Sequence, residues 1–358
     1  VSLSVLALTR YDRKGASSRV RFLQYLPHLA RHGVQVTVQP LLTDAYLERL
    51  YRDGTRSPAA VAAACLRRLF ALIPASHVDI VWLQREVLPF APLSWEKRLL
   101  AGRKLVVDFD DAHHLYYKSR GGAWAQALYG DKIEGLMRHA DAVTVGNRTL
   151  ADVAQAAGAR AVHVIPSAVD VSRFAATAPA EPFTVGWIGT PMTAAESLPL
   201  LQAPLARFLR ETGARCLLVG VRPDQFPNLP AERLPWSEDA EGAQLARIAV
   251  GLCPLADTAW NRGKSGYKII QYMAAARPSL VSPVGIAADL VDDGQTGFHC
   301  RTEDDWYRAL MRLYRERDMR LAMGARARTL ATTRYDTAVA AAEIARIFAS
   351  VCDVPRDV

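Results

Sequence analysis

Gly263-Lys-Ser-Gly-Tyr-Lys-Ile-Ile-Gln-Tyr-Met-Ala-Ala-Ala-Arg-Pro-Ser-Leu-Val-Ser-Pro-Val-Gly285 reads as a turn, a helix and a strand in quick succession. Gly263 and Gly266 bracket a turn that carries Lys264 and Ser265. Ile269, Ile270, Met273 and Ala274 then recur at helical spacing, Pro278 stops the helix, and Leu280-Val281 restart the chain as a strand. A glycine turn running into a helix N-terminus presents free backbone N–H groups and the positive end of the helix dipole, which together suit phosphate. With a helix start near Ser265, Lys264 and Lys268 stand one turn apart and converge on one bound anion. An ordinary helix with two solvated lysines fits the fragment as well.

The wider segment resembles the donor-binding signature of retaining glycosyltransferases of family 4, which have the GT-B fold. The usual signature is Glu-Gly-Phe-Gly, four residues, then Glu-Ala-Met-Ala-x-Gly-x-Pro. One branch reads Gly-Lys-x-x-x-Lys-Leu-x-Glu/Gln-Tyr-Met-Ala-Ala-Gly-x-Pro, and residues 263–278 are similar to it. The resemblance continues upstream through Pro254-Leu255-Ala256-Asp257. Downstream it runs through Ser282-Pro283-Val284-Gly285 and Asp293-Gly294-Gln295-Thr296-Gly297-Phe298, and it is detectable over nearly the whole chain. It implies an α/β chain of two Rossmann-like, doubly wound parallel-sheet domains facing across a cleft. It also implies a UDP- or GDP-linked sugar donor, a glycan, lipid-linked or small-molecule acceptor, no cofactor and no metal. Retention in that family is ascribed to front-face attack, the leaving phosphate helping to take the acceptor proton, so no protein nucleophile is required. A sugar-nucleotide 2-epimerase of the same fold and a non-catalytic nucleotide-sugar-binding relative are the alternatives.

Composition agrees with such a chain. Its 358 residues suffice for two α/β domains, each with its own core. Half are apolar and 22% charged, an ordinary balance for a soluble globular protein. No apolar run approaches the roughly 20 residues that span a bilayer. The apolar start is too short for a signal peptide, lacks a basic flank, and reads as a first buried strand. Cys65, Cys216, Cys253, Cys300 and Cys352 show no paired spacing for zinc or a redox dithiol, which points to a reduced, cytoplasmic setting. Residues 1–175 carry a net charge of +8 and residues 176–358 carry none. No helix-turn-helix, RNP-type or zinc pattern accompanies that charge, so nucleic acid is not an expected partner. An anionic surface at the inner face of the cell membrane, or a phosphate-bearing acceptor, suits it better. Residues 46–74 mix Arg49, Arg52, Arg56, Arg67 and Arg68 with Leu47, Leu50, Leu66, Leu69 and Phe70. Such a stretch is either membrane-facing or two ordinary surface helices broken at Gly54 and Pro58.

Strand-like runs alternate with helical ones throughout. Val5-Leu6-Ala7-Leu8, Val34-Gln35-Val36-Thr37-Val38, Ile80-Val81-Trp82-Leu83, Leu105-Val106-Val107 and Ala142-Val143-Thr144-Val145 predict a first buried sheet. Residues 183–188, 215–219, 250–253 and 279–281 predict a second, with helices such as 20–32, 131–140 and 198–212 between strands. Strands so separated imply parallel sheets covered on both faces. The small, proline-containing stretch 175–182 reads as a linker, giving an acceptor domain over 1–174 and a donor domain over 183–336. In the resembled family the chain then crosses back, which assigns residues 337–358 to the first domain. No G-x-G-x-x-G follows the first strand, which weakens a dinucleotide dehydrogenase reading.

A diphosphate leaving group needs its developing negative charge neutralised. Without a metal the task falls to lysine, arginine and helix N-termini, so Lys264 and Lys268 are the first candidates, with the Ser265 and Gly266 amides beneath them. Gly189-Thr190-Pro191-Met192-Thr193 is a second anion-binding candidate, or else a plain turn capped by Thr193. No basic residue stands between Gly186 and Arg207 to help it. By the resemblance, Gln271 replaces the second glutamate of the signature, which accepts hydrogen bonds from the ribose; a glutamine can accept and donate there. Gly263 replaces the first glutamate, and Arg262, with Asp257 and Trp260, reshapes that pocket. Gly220, Val221 and Trp236 stand where the family holds the base, largely through backbone groups; for Trp236 a packing role is the alternative.

In the first domain, Gly15 permits close backbone approach, Ser17 and Ser18 are candidate helix caps, and Arg19 is favoured over Arg21 as a phosphate ligand. Val107-Asp108-Phe109-Asp110-Asp111 ends a strand in Asp-x-Asp and invites a Mg²⁺ or Mn²⁺ reading. The resemblance instead sets Asp110 at the reacting carbon. It leaves Asp108, Asp111 and Arg85 on the acceptor side, with structural capping or anchoring open for the two aspartates.

Overall fold

The computed structural model describes residues 2–55, 57–72, 78–119, 123–177 and 181–353. The chain divides into two compact units. One takes in Val1–Ser167, Gly263–Ser265 and Thr337–Val358, the other Ala168–Arg262 and Gly266–Asp336.

The first unit holds β1 (Leu3–Tyr11), β2 (Val34–Leu42), β3 (Ile80–Gln84), β4 (Lys104–Phe109), β5 (Ala142–Val145) and β6 (Val162–Val164). They are parallel and ordered β2-β1-β3-β4-β5-β6. Every residue of β3 and β5 is buried, as strands covered on both faces require. The order reverses at β1, since the chain leaves it for β2 on one side and returns to β3 on the other. The second unit holds β7 (Thr184–Ile188), β8 (Arg215–Val219), β9 (Glu232–Leu234), β10 (Val250–Cys253), β11 (Ser279–Val281) and β12 (Gly297–His299). Its order, β12-β11-β10-β7-β8-β9, reverses between β7 and β10. In open α/β sheets ligands bind beyond the carboxyl ends of the strands at such a reversal. Both sheets are of the doubly wound, all-parallel α/β kind expected.

Three strands escape the sequence reading. β6, β9 and β12 each lie at a sheet edge, are three residues long and lack an apolar run. The expected helix over 20–32 is broken into Ala16–Arg21, a tight turn Leu23–Tyr25 and Leu26–Arg31. The break lies at Phe22 (φ −133°), whose buried ring packs 4.0 Å from that of Trp82 on β3. Phe348, on the helix Thr337–Asp353, meets the same Trp82 edge-on at 5.3 Å, which seats the end of the chain in the first unit. The division falls at Ser167, ahead of the expected linker over 175–182. Val169, Val171 and Phe174 are already buried with Ile188, Val219 and Tyr272 in the second core. Residues 178–180 of that linker lie outside the described residues.

The basic stretch forms two helices, Asp44–Asp53 and Pro58–Leu72, the first closed by left-handed Gly54. Arg68 does not face outward as a membrane contact would. It is 1% exposed and donates to the carbonyls of Thr9 and Gln39 beside β1 and β2. Arg67 donates to the carbonyls of Pro40 and Leu41. Arg49, Arg52, Leu66 and Phe70 are on the surface, while Arg56 and residues 73–74 lie outside the described residues. No helix among the described residues is long and apolar enough to cross a membrane.

Candidate functional site

In the second unit, β7 and β10 pair only through Val185 with Val250 and Gly186 with Gly251. Beyond that point Tyr272 spans them, its hydroxyl accepting from the Ile188 N–H (3.1 Å) and donating to the Leu252 carbonyl (3.2 Å). Burial pushes this phenol well above its ordinary range, so it stays a donor. Gly251 makes room for it, since a Cβ there would lie 2.2 Å from the Tyr272 ring.

Tyr272 rides on the helix Tyr267–Ala274, whose N-cap is Gly266 in the left-handed conformation (φ +68°). The helix therefore starts two residues later than the expected Ser265. Lys264 lies outside it and is grouped with the first unit, so the helical argument for two converging lysines does not hold. Lys268 is inside the helix, one turn before Tyr272 and on the same face. Its ammonium is 4.2 Å from the centroid of the Trp187 ring on β7 and is shielded from solvent. Gln271, on the same helix, is buried.

The turns after β7 and β8 lie against each other. A Cβ on Gly189 would be 2.4 Å from the Trp187 ring, and one on Gly220 (φ +83°) would be 2.1 Å from the Gly189 carbonyl oxygen. Only glycines allow this closeness. Thr190 caps the helix Pro191–Ser197 by accepting from the Thr193 N–H, so the cap is Thr190 and not the expected Thr193. Val221 is buried in the core and offers only its backbone. Trp236 packs against the other core cluster of the unit and donates from its indole to Glu241 (2.8 Å). Arg262 is exposed and held by Asp257 in a two-pronged pair at 2.6 and 3.0 Å.

In the first unit the loops after β1, β3 and β4 carry the predicted residues. Gly15 ends a turn in which a Cβ would strike Tyr11 at 2.1 Å. Ser18 does not cap the next helix; its buried hydroxyl donates to Gln84 (2.7 Å) and accepts from the Tyr11 N–H (2.9 Å), tying the loop to β3. Arg19 donates to the Arg13 carbonyl (3.0 Å). Arg21 is no phosphate ligand: at 2% exposure it pairs with both oxygens of Asp108 (3.0 and 2.6 Å) and donates to the Ile165 carbonyl. Thr144 also donates to Asp108 (2.7 Å), so Asp108 is a buried anchor with both oxygens engaged.

Asp110 differs. It bonds Arg85 at 3.1 Å, and Arg85 adopts the left-handed conformation (φ +68°) that non-glycine residues rarely take. Burial opposes ionisation of Asp110, yet Arg85 above all, with Arg21, holds its carboxyl below the usual range. Burial and the Asp110 charge push neighbouring Asp111 the other way, up to about 7. Burial and Arg85 depress His113 to about 3, leaving its imidazole neutral. Asp110, Asp111 and His113 each offer a ligand atom within 4.8 Å of the others. Arg85 already sits on Asp110, however, and a guanidinium there competes with any cation.

Gly263 stands against Ala112, directly after Asp-Phe-Asp-Asp. A Cβ on it would lie 2.8 Å from the Ala112 Cβ, so the backbone admits no side chain where the family signature has glutamate. Ser265 lies close to Gly146, where a Cβ would be 3.1 Å from its own. Asn147, absent from the sequence reading, donates to the Lys264 carbonyl (2.9 Å) while capping the helix Arg148–Ala156. Its signal was the Asn just after an apolar strand, a common N-cap residue.

Residues 182–316 match the family described as glycosyl transferases group 1. Among solved structures, the chain is similar to Anabaena HepE in complex with UDP-glucose, at 17% identity and a TM-score of 0.70, covering 97% of this chain and 100% of that one. It is also similar to sucrose-phosphate synthase from Thermosynechococcus elongatus, at 12% identity and a TM-score of 0.71, covering 98% and 99%. A glycosyltransferase from Rickettsia africae gives 14% identity and a TM-score of 0.70 over 99% and 100%. At these identities the likeness is one of fold. No curated protein matches the sequence. The second unit thus carries a match to the glycosyl transferases group 1 family over 182–316, and the chain shares the two-sheet GT-B fold of these structures.

Proposed function

We propose that the protein is a retaining glycosyltransferase of the family 4 type, moving a sugar from a nucleotide-diphosphate sugar to an acceptor hydroxyl without a metal. The observation that carries this reading is Lys268, held over Trp187 at the reversal between β7 and β10, with the Gly189 and Gly220 turns beside it. A shielded ammonium beside closely packed glycine turns suits the two charges of a leaving diphosphate. Backbone groups of Gly189, Thr190, Gly220 and Val221 line the donor, Trp236 flanks the base, and Gln271 takes the ribose. Because Anabaena HepE is found with UDP-glucose, a UDP-linked donor is the first to try. In the first unit Asp110, kept ionised by Arg85, accepts a hydrogen bond from the acceptor sugar or alcohol, and Lys264 supplies positive charge there. Arg85 on Asp110 favours a metal-free mechanism over ligation by the Asp110, Asp111 and His113 group.

Lys264→Ala and Lys268→Ala test these roles. Losing one charge-assisted contact to a substrate removes about 1.5–3 kcal/mol, so each variant should turn over donor more than tenfold slower while unfolding like the wild type. Rates within twofold of wild type for both would remove the assignment. Sugar isomerisation without any sugar–acceptor product would favour the epimerase.

A further inference from the structure

We propose that Trp187 is a positioning residue for the donor diphosphate, its indole face fixing the ammonium of Lys268; this rests on the glycosyltransferase reading above. Lysine carries its charge on four flexible carbons, and a catalytic ammonium must be held in one place before the anion arrives. Here it is held by a ring: Nζ lies 4.2 Å from the Trp187 centroid. Trp is the aromatic side chain that attracts a cation most strongly, and the attraction grows when water is excluded, as it is at this ammonium.

Trp187 also packs in the hydrophobic core of the second unit. Trp187 is 1% exposed, and its indole N–H has no acceptor among the described residues. A buried donor without a partner is unfavourable, and a phenylalanine or leucine would fill a core without one. What the ring offers besides its bulk is the face on which the Lys268 ammonium rests. The surroundings are fitted to it, since the Gly189 turn would collide with the ring if it carried even a Cβ. Tyr272, one turn along from Lys268, fixes the rotation of the helix by bonding both β7 and β10, and so aims Lys268 at β7.

The test uses the full chain in excess EDTA, with UDP and GDP as probes and calorimetric dissociation constants as the readout. Trp187→Leu should weaken binding of the accepted nucleotide at least fivefold, and Trp187→Phe by less than threefold. The double variant Trp187→Leu/Lys268→Ala should bind within twofold of Lys268→Ala alone, because both changes remove one contact. Should the leucine variant fold poorly, mono-, di- and trifluorinated tryptophan placed at 187 keeps the volume while draining the ring face, and affinity should fall stepwise with fluorine number. Affinity unchanged along the fluorine series, or losses that multiply in the double variant, would overturn the proposal while leaving Lys268 in its role. A wild type that binds neither nucleotide overturns the donor reading and this proposal with it.

Discussion

Asp108 and Asp110 stand two residues apart, yet one is sealed between strands and the other bonds a strained arginine at the end of β4. Asp108 neutralises Arg21 where neither touches solvent, at side-chain exposures of 2% each. Removing one partner of a buried pair leaves the other charge uncompensated, typically at 3–5 kcal/mol. Asp108→Asn should therefore lower the urea stability of the first unit by about 3 kcal/mol, and the folded fraction should turn over donor within about threefold of wild type. Normal stability with lost turnover would return Asp108 to the acceptor side. The sequence, through the resemblance, set Asp110 at the reacting carbon and Asp108 on the acceptor side, with an anchoring role for Asp108 left open. Both follow an apolar run, and the partner that distinguishes them, Arg21, is 87 residues distant. Arg21 as a weaker phosphate candidate and Arg68 as a surface or membrane-facing charge went astray for the same reason, since nothing local announces a buried arginine.

The helix Tyr267–Ala274 was legible as an element, though its start and its end were not. Gly266 supplies a left-handed start after Lys264, and the exit turns at Ala276 with φ +57°, two residues before Pro278. The resembled branch has glycine at that position. Alanine held in the left-handed region loses about 1–2 kcal/mol, partly balanced by the extra chain freedom that a glycine would lose on folding. Ala276→Gly should therefore stabilise the second unit by about 0.5–1 kcal/mol and raise its melting temperature by roughly 1–4 °C. A lower melting temperature would show that the turn is not strained by its side chain. The four buried strands recognised in the second sheet were readable because burial on both faces writes itself as unbroken apolar residues. The edge strands β9 and β12 were not, because a three-residue edge is set by its neighbour's hydrogen bonds.

At the scale of the molecule, alternating strands and helices gave the α/β class, and the sheet orders put the predicted Gly189 and Lys268 segments at the carboxyl ends beside one reversal. Where the chain changes unit was less legible, because Val169, Val171 and Phe174 look like any apolar residues before a linker and enter the second core only in three dimensions. The excess positive charge of the first half was plain in composition, but the burial of Arg21 and Arg68 takes part of it off the surface. The proposed activity is sugar transfer from a nucleotide-diphosphate sugar without a metal. The most direct measurement is release of nucleotide diphosphate from a panel of UDP- and GDP-sugars by the wild-type chain in excess EDTA. Turnover of at least one donor is expected, at a rate unchanged by the chelator. Turnover abolished by EDTA and restored by Mn²⁺ or Mg²⁺ would contradict it and hand Asp110, Asp111 and His113 to a cation.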